Sequence, residues 1–95
     1  MINSFILHSN DTVAIVNKPV SKGENVVYIF DDKEITIEAM EDIPTYHKIA
    51  IKRVKKGNVV LKYGEVIGYA TTDIEIGYHV HTQNLSDLVE RMEEL

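Results

Sequence analysis

The chain has 95 residues, a formal net charge of −5 and no cysteine. This length supports a single domain with a modest core, the negative charge argues against a nucleic-acid partner, and the absence of thiols excludes disulfides and thiolate metal sites. No apolar run is long enough to span a bilayer, and the first residues do not resemble a secretion signal. We therefore expect a cytoplasmic protein that does not bind membranes.

Short runs rich in Val, Ile, Thr and Tyr, bounded by turn residues, predict short strands along most of the chain. In chain order these runs are residues 5–7, 13–16, 26–30, 35–37, 48–52, 59–61, 66–71 and 78–82. Asp31 to Glu34 form a hairpin signal between two of them, and Gly68 predicts a bulge or a close backbone approach within another. The fold class that follows is mainly β: one compact domain of short strands over residues 1–95.

The period of the apolar residues changes near the C-terminus. Five apolar side chains follow helical spacing there: Leu85, Leu88, Val89, Met92 and Leu95. Asn84 or Ser86 is able to cap the first turn. We therefore expect one terminal helix from about Ser86 to Glu93, which either covers an open end of the β fold or docks onto a partner.

One turn pattern occurs four times, at residues 20–26, 43–49, 54–60 and 74–80. Each copy has a β-branched residue, a short polar tip and a second β-branched residue six positions later. Three copies carry Gly at the fourth position, where glycine reaches a positive φ without steric cost. The second copy carries Tyr46 there and continues with His47 and Lys48. A non-glycine residue at such a position indicates function or local strain, so this turn is a candidate site.

The histidines are candidate metal ligands or proton-transfer groups. His79 and His81 lie two residues apart in a predicted strand, so both side chains leave the same face and are able to chelate a metal as neutral imidazoles. The four histidines have no nearby cluster of carboxylates, and the spacing alone does not establish a metal site.

Basic residues are concentrated in one part of this acidic chain. Six of the ten lie between residues 48 and 62: Lys48, Lys52, Arg53, Lys55, Lys56 and Lys62. Such a region attracts a small carboxylate ligand or an acidic protein surface, and the alternative is a solvated strand-turn-strand face. The chain has no nucleophile elbow, phosphate-binding loop or dinucleotide fingerprint. It therefore lacks a complete catalytic constellation of its own.

Motifs along nearly the whole chain resemble the N-terminal domain of the altronate and galactarate dehydratases. They are Leu7-His8 with Asp11, Asp42-Ile43-Pro44, His47-Lys48 with Ala50, the stretch from Lys62 to Ala70, Asp73-Ile74, Gly77 and Val80-His81. The chain departs from the family pattern at Tyr46, where the family usually has Gly, and at Gln83, where the family often has a second His before Asn.

The resemblance implies the β-clip fold of a SAF domain and the small subunit of a heteromeric lyase. The reaction would be β-elimination of water, or of sulfite, from a hydroxy acid such as a sugar acid. A large catalytic subunit would be the partner, and a divalent metal, iron or manganese, would act in the full complex. We expect no turnover by this chain alone. The alternatives are a stand-alone SAF-type module that binds a carbohydrate acid without catalysis, and a self-associating structural protein; a homo-oligomer is left open.

The resemblance also suggests roles for particular residues. We expect His8 and His47 to be catalytic proton-transfer groups or metal-side contacts, in a pocket that they share with Lys48 and Tyr63 and that closes against the partner. Lys48, supported by Lys62, would bind the substrate carboxylate as a point charge. The alternative is that both histidines satisfy turn backbone groups and that Tyr63 is a core residue.

A second polar site is expected at the C-terminal end of the domain. His79 and His81 are its candidate metal ligands, and Asn84 would bind substrate from the N-terminus of the predicted helix, where backbone donors favour an anion. The alternative for Asn84 is a helix cap.

Overall fold

Residues 1–87 are described in a computed structural model of the chain, and every regular element within them is a strand. The strands are β1 (Ser4–Phe5), β2 (Val13–Val16), β3 (Asn25–Phe30), β4 (Lys33–Glu38), β5 (Lys48–Ala50), β6 (Val59–Lys62), β7 (Glu65–Ala70), β8 (His79–Val80) and β9 (Leu85–Ser86). The prediction of a mainly β fold built from short strands is confirmed. Within the same residues there is no helix of the length and apolarity needed to cross a membrane.

These strands form three small antiparallel sheets. The central sheet has the order β1-β2-β5-β8, the second is the hairpin β3-β4, and the third has the order β6-β7-β9. β2 pairs with β5 through Ala14 and Ile49, and β5 pairs with β8 through Ile49 and His79. Strands from both halves of the chain therefore lie side by side in the central sheet.

The core lies on both faces of the central sheet. All four residues of β2 are buried, because its side chains alternate between two apolar clusters. Ala14 and Val16 belong to the cluster that includes β3 and β4, whereas Val13 belongs to the cluster that includes β6 and β7. Full burial of one valine contributes about 1.5 to 3 kcal/mol relative to exposure. β2 thus contributes to both halves of the core.

The prediction of a terminal helix is wrong for the first residues of that segment. Leu85–Ser86 forms β9, which pairs with β7. The Leu85 side chain packs against the second apolar cluster, so strand pairing and burial outweigh the helical spacing of the sequence. A Cβ on Gly68 would collide with the carbonyl oxygen of Ser86, which confirms the close backbone approach predicted at that glycine. Residues 88–93 of the predicted helix lie outside the described residues.

The chain folds the same hairpin unit twice. In each unit an isolated β-bridge closes the base, the turn glycine donates its N–H to an alanine carbonyl, and an aspartate side chain accepts the N–H of the lysine before that glycine. The pairs are Val20–Ile43, Gly23–Ala39 and Lys22–Asp42 in the first unit, and Val54–Ile74, Gly57–Ala70 and Lys56–Asp73 in the second. The fourfold turn pattern is therefore the entry and exit turn of one supersecondary unit, used two times.

All four copies of the pattern form the same tight turn, in which a carbonyl accepts the N–H three residues later. The residue before that N–H has a φ of 92° at Gly23, 64° at Tyr46, 88° at Gly57 and 94° at Gly77. A positive φ at this position alone is the backbone of a type II turn, which favours glycine there. Tyr46 occupies such a position as the sequence predicts, and its side chain is 72% exposed, so packing does not compensate for the backbone.

Asp11 joins two segments that are distant in sequence. Its buried carboxylate accepts backbone N–H groups from Leu7 and His8, each at 3.2 Å, and from Gly64 at 2.7 Å. Burial alone would raise the pKa of Asp11, but hydrogen bonds from the backbone of Gly64, Leu7, His8 and Tyr63 outweigh burial and lower it. The ionised carboxylate therefore fixes the loop that carries His8 against the turn at Tyr63.

Replacing Asp11 with asparagine removes this charge and one acceptor oxygen with little change in shape. We expect the free energy of unfolding at pH 7 to fall by about 2 to 3 kcal/mol, because hydrogen bonds to a buried charge are stronger than neutral ones. Folding lowers the pKa of Asp11, so its contribution is present above the unfolded pKa of about 4 and is lost as the pH falls towards the folded pKa. Urea denaturation at several pH values measures this difference. The control Asp73→Asn, in which an exposed side chain that accepts one N–H loses its charge but keeps an acceptor oxygen, should cost less than about 1 kcal/mol; equal losses would contradict the role of Asp11.

Replacing Tyr46 with glycine tests the strain at the second turn. We expect the variant to be more stable by about 0.5 to 1 kcal/mol, because glycine relieves a positive φ and the exposed tyrosine ring loses little packing. The matched change Thr45→Gly, one residue earlier in the same turn, should destabilise the protein. Thr45 does not have a positive φ, so glycine there relieves no strain and increases the conformational entropy of the unfolded chain. Thermal unfolding measures both. A Tyr46→Gly variant that is less stable than the parent would show that the ring stabilises the fold.

Candidate functional site

Three histidines converge at the junction of the two hairpin units. His47 precedes β5, and His79 and His81 begin and follow β8. The Nδ1 atom of His47 lies 2.9 Å from the Nε2 atom of His79. The ring centroids are 5.1 Å apart for His47 and His79, 4.6 Å for His47 and His81, and 5.4 Å for His79 and His81. One ring nitrogen from each residue lies within 4.8 Å of the other two. We call these residues the histidine cluster.

The cluster follows from strand pairing and from the alternation of side chains. The turn at Tyr46 delivers His47 to the start of β5, and β5 pairs with β8 with Ile49 opposite His79. Residues two apart share a face, so His47, His79 and His81 all leave the sheet on the side of Ile49. The sequence predicts the pairing of His79 with His81 but not their meeting with His47. The turn pattern contains a signal for this contact that sequence reasoning missed. Its second and fourth copies end the two hairpin units, and these two ends lie at adjacent strands.

The surroundings of the cluster keep two of its rings neutral near pH 7. Burial lowers the pKa of His47, and the charges of His81 and Lys48 lower it further. Burial also lowers the pKa of His79, as do the other two histidines and Lys48, while Glu41 opposes the shift. Neutral imidazoles offer a lone pair, so these rings are able to accept a proton or bind a metal.

Polar side chains fix the backbone on which the cluster stands. The Oε1 atom of Glu41 accepts the N–H of His79 at 3.0 Å, and the Oδ1 atom of Asn84 accepts the N–H of His81 at 3.0 Å. The amide nitrogens of Asn84 and Gln83 donate to the carbonyl of His79 at 2.8 and 3.2 Å. Both polar atoms of the Asn84 side chain are thus used by the backbone. The structure gives Asn84 a local structural role, and the helix that it is predicted to cap does not begin there.

Lys48, Lys62 and Tyr63 form a second group beside the cluster. Burial lowers the pKa of Lys48, and the charge of Lys62 lowers it further. The Nζ atom of Lys62 lies 4.9 Å above the Tyr63 ring, which stacks on Phe5 with centroids 6.4 Å apart. Lys48 follows His47 and leaves the sheet on its other face. Its charge nevertheless reaches His47 and His79, so the two groups adjoin one another.

His8 lies beside the second group rather than in the cluster. A Cβ on Gly64 would be 2.9 Å from the Cδ2 atom of His8, and the Nδ1 atom of His8 accepts the N–H of Asn10 at 3.0 Å. Within residues 1–87 no hydrogen bond or ring contact joins His8 to His47. A single pocket containing His8, His47, Lys48 and Tyr63 stays a prediction, whereas the contacts sort these residues into two neighbouring groups.

The sequence profile of the altronate/galactarate dehydratase SAF domain matches residues 2–88. The chain belongs to this family. The resemblance inferred from the Tyr63 to Ala70 stretch and the histidine motifs is therefore confirmed.

Characterised relatives contain this unit in two contexts. Altronate dehydratase of Bacillus subtilis is 37% identical over 92 residues, which cover 92% of this chain but 18% of that protein. The alpha subunit of (2R)-sulfolactate sulfo-lyase from Chromohalobacter salexigens is 31% identical over 85 residues, which cover 85% of this chain and 90% of that subunit. The corresponding subunit of Paracoccus pantotrophus is 46% identical over 54 residues, or 57% of this chain and 81% of the subunit. The chain thus spans under a fifth of the dehydratase but most of the small subunits.

The histidine cluster should be visible in the titration of the metal-free protein. We expect His47 and His79 to have pKa values below the ordinary value of about 6.5, because burial and neighbouring positive charges disfavour the imidazolium form. These groups bind protons less readily when folded, so the free energy of unfolding should decrease as the pH falls below about 6.5. NMR titration of the ring protons measures the midpoints. His81→Gln should raise both pKa values, since it removes one of their charged neighbours; unchanged midpoints would contradict the coupling.

Proposed function

We propose that this protein is the small subunit of a heteromeric lyase that eliminates water or sulfite from a hydroxy acid. The observation that carries the proposal is the pair of contexts in which the unit occurs. It forms part of a long dehydratase chain in one relative and accounts for 90% of a separate alpha subunit in another. A unit found in both arrangements is expected to work against a larger catalytic partner.

The reaction places two demands on the active site. A base removes the proton from the carbon next to the carboxylate, and the electron pair of that C–H bond forms a C=C bond as the leaving group departs from the adjacent carbon. The charge that develops on the carboxylate must be stabilised, and the base must have a pKa near the working pH. The two neighbouring groups of this domain are suited to stabilising that charge, and the base would come from the partner.

Lys48 and Lys62 supply the positive charge. The charge of Lys62 lowers the pKa of Lys48, so the two ammonium groups repel each other. A substrate carboxylate relieves this repulsion, and the Tyr63 ring under Lys62 provides an apolar wall for the carbon chain. The histidine cluster, in which two rings have lowered pKa values, supplies neutral imidazoles. The divalent metal expected in the complex would stabilise the enolate charge, and neutral imidazoles are suitable ligands for such an ion.

An incomplete enclosure favours an active site shared with the partner. The members of the cluster and Lys48 are only half buried, and Tyr46 projects beside them with 72% of its surface exposed. An elimination that passes through a charged intermediate requires a site from which water is excluded. The partner would provide that cover and the remaining catalytic groups.

Co-expression with the large chain of a lyase of this family tests the proposal. We expect the purified complex, supplied with iron or manganese, to convert at least one of altronate, galactarate and (2R)-sulfolactate, and the small chain alone to convert none. Lys48→Met should lower kcat/KM by about 10- to 100-fold, mainly through KM, because a charged hydrogen bond of about 1.5 to 3 kcal/mol is lost.

Lys55→Met is the matched control for that experiment, because Lys55 is an exposed lysine of the same basic segment at the tip of the third turn. It should leave kcat/KM unchanged. Robust turnover by the isolated 95-residue chain would contradict a shared active site. Binding of a sugar acid by the isolated chain, with no turnover in any complex, would instead identify a stand-alone binding module.

A further inference from the structure

We propose that His47, His79 and His81 form a binding site for one divalent transition-metal ion, which this chain holds without a partner subunit. This goes beyond the proposed function, because it assigns a metal-binding activity to the domain itself. For His47, which the sequence predicts to be a proton-transfer group or a metal-side contact, it selects the metal-binding role.

The spacing of the ring nitrogens is close to that of a metal site. Metal–imidazole bonds of about 2.1 Å place neighbouring nitrogens about 3.4 Å apart in a tetrahedral site and about 3.0 Å apart in an octahedral one. The Nδ1 atom of His47 and the Nε2 atom of His79 are 2.9 Å apart, and the His81 nitrogen lies within 4.8 Å of both. The proposal requires a rotation of the half-buried His81 side chain that brings the third nitrogen into range.

The backbone of each ligand is already fixed. The N–H of His47 donates to the Pro44 carbonyl at 3.0 Å within the second turn. The N–H groups of His79 and His81 donate to the side chains of Glu41 and Asn84, each at 3.0 Å. Three ligands on anchored backbone lose little conformational freedom when they bind an ion, and this favours binding.

The donor set selects the kind of metal. Three neutral imidazoles suit zinc, iron, cobalt, nickel and copper, whereas magnesium and calcium prefer oxygen ligands. Three protein ligands also leave at least one coordination position open, as in catalytic rather than structural zinc sites. The open position would be available to water or to an oxygen atom of a ligand.

The electrostatic surroundings also favour a cation. Glu41, Asp73 and Glu75 line a cleft of about 260 Å³ that also includes Gln83 and Asn84, the residues that hold the backbone of His79. Of these carboxylates, Glu41 acts on His79 and opposes the effect of Lys48, whereas Glu75 is paired with Arg53. The alternative is that the histidines only hydrogen-bond to each other, an arrangement that needs one shared proton and no ion.

Metal titration of the isolated chain decides between these states. The chain is treated with EDTA, exchanged into metal-free buffer, and titrated with Zn²⁺ by calorimetry and with Co²⁺ by visible absorption. We expect one ion per chain and a rise in the thermal unfolding midpoint with Zn²⁺, since an ion that binds only the folded state stabilises it. His47→Gln, His79→Gln and His81→Gln should each weaken binding by at least about tenfold, because even the loss of a group that orients a ligand costs this much.

His8→Gln is the matched control, because His8 lies outside the cluster with its Nδ1 atom engaged by Asn10. It should keep the affinity of the parent chain. Absence of binding by the parent chain, or equal weakening by His8→Gln and His47→Gln, would overturn the proposal. All variants are compared by their unfolding midpoint without metal, so a loss of folding is separated from a loss of ligands. The experiment measures metal binding and not lyase turnover, so a chain that binds no metal and a complex that shows no turnover are separate results.

Discussion

The antiparallel pairing of β5 with β8 determines both the architecture and the site. It joins the end of the first hairpin unit to the end of the second, through Ile49 and His79. Ile49 is fully buried in one apolar cluster and Ala50 in the other, so a shift of this register by one residue would expose apolar side chains on both faces. The same register brings His47 beside His79. The position of the histidine cluster is therefore specified by the packing of the core.

Duplication explains how so small a domain forms such a junction. Each unit contributes an entry turn, a hairpin and an exit turn, and the two exit turns lie at neighbouring strands of the central sheet. The first exit turn carries Tyr46 and His47, and the second carries Gly77 just before His79. Equivalent positions of the two units thus carry different residues. Strain is present at the copy with tyrosine, next to the cluster, whereas the other copy has the glycine that the backbone favours.

The sequence predicts the local features of the fold and misses those that depend on distant contacts. Short β-branched runs and the tight turns follow from residue type, and the structure contains them. The helix expected from Ser86 has the right apolar spacing, but Leu85 and Ser86 pair with β7, a long-range contact that periodicity does not reveal. The meeting of His47 with His79 depends in the same way on pairing between residues 32 positions apart. Adjacent residues such as His47 and Lys48 are expected in one pocket, but alternation along a strand separates their side chains.

The carboxylate of Asp11 has a consequence for the order in which the chain folds. Its hydrogen bond to Gly64 spans 53 residues, so it forms only after the chain between them has closed a long loop, which is entropically costly. The hairpin β3-β4 and the turns form from neighbouring residues and are able to precede it. The chain has no cysteine, and this hydrogen bond connects two distant segments as a disulfide would in another protein. A contact that forms after the rate-limiting step slows unfolding without speeding folding. We therefore expect Asp11 to slow the unfolding of the native domain more than it speeds folding.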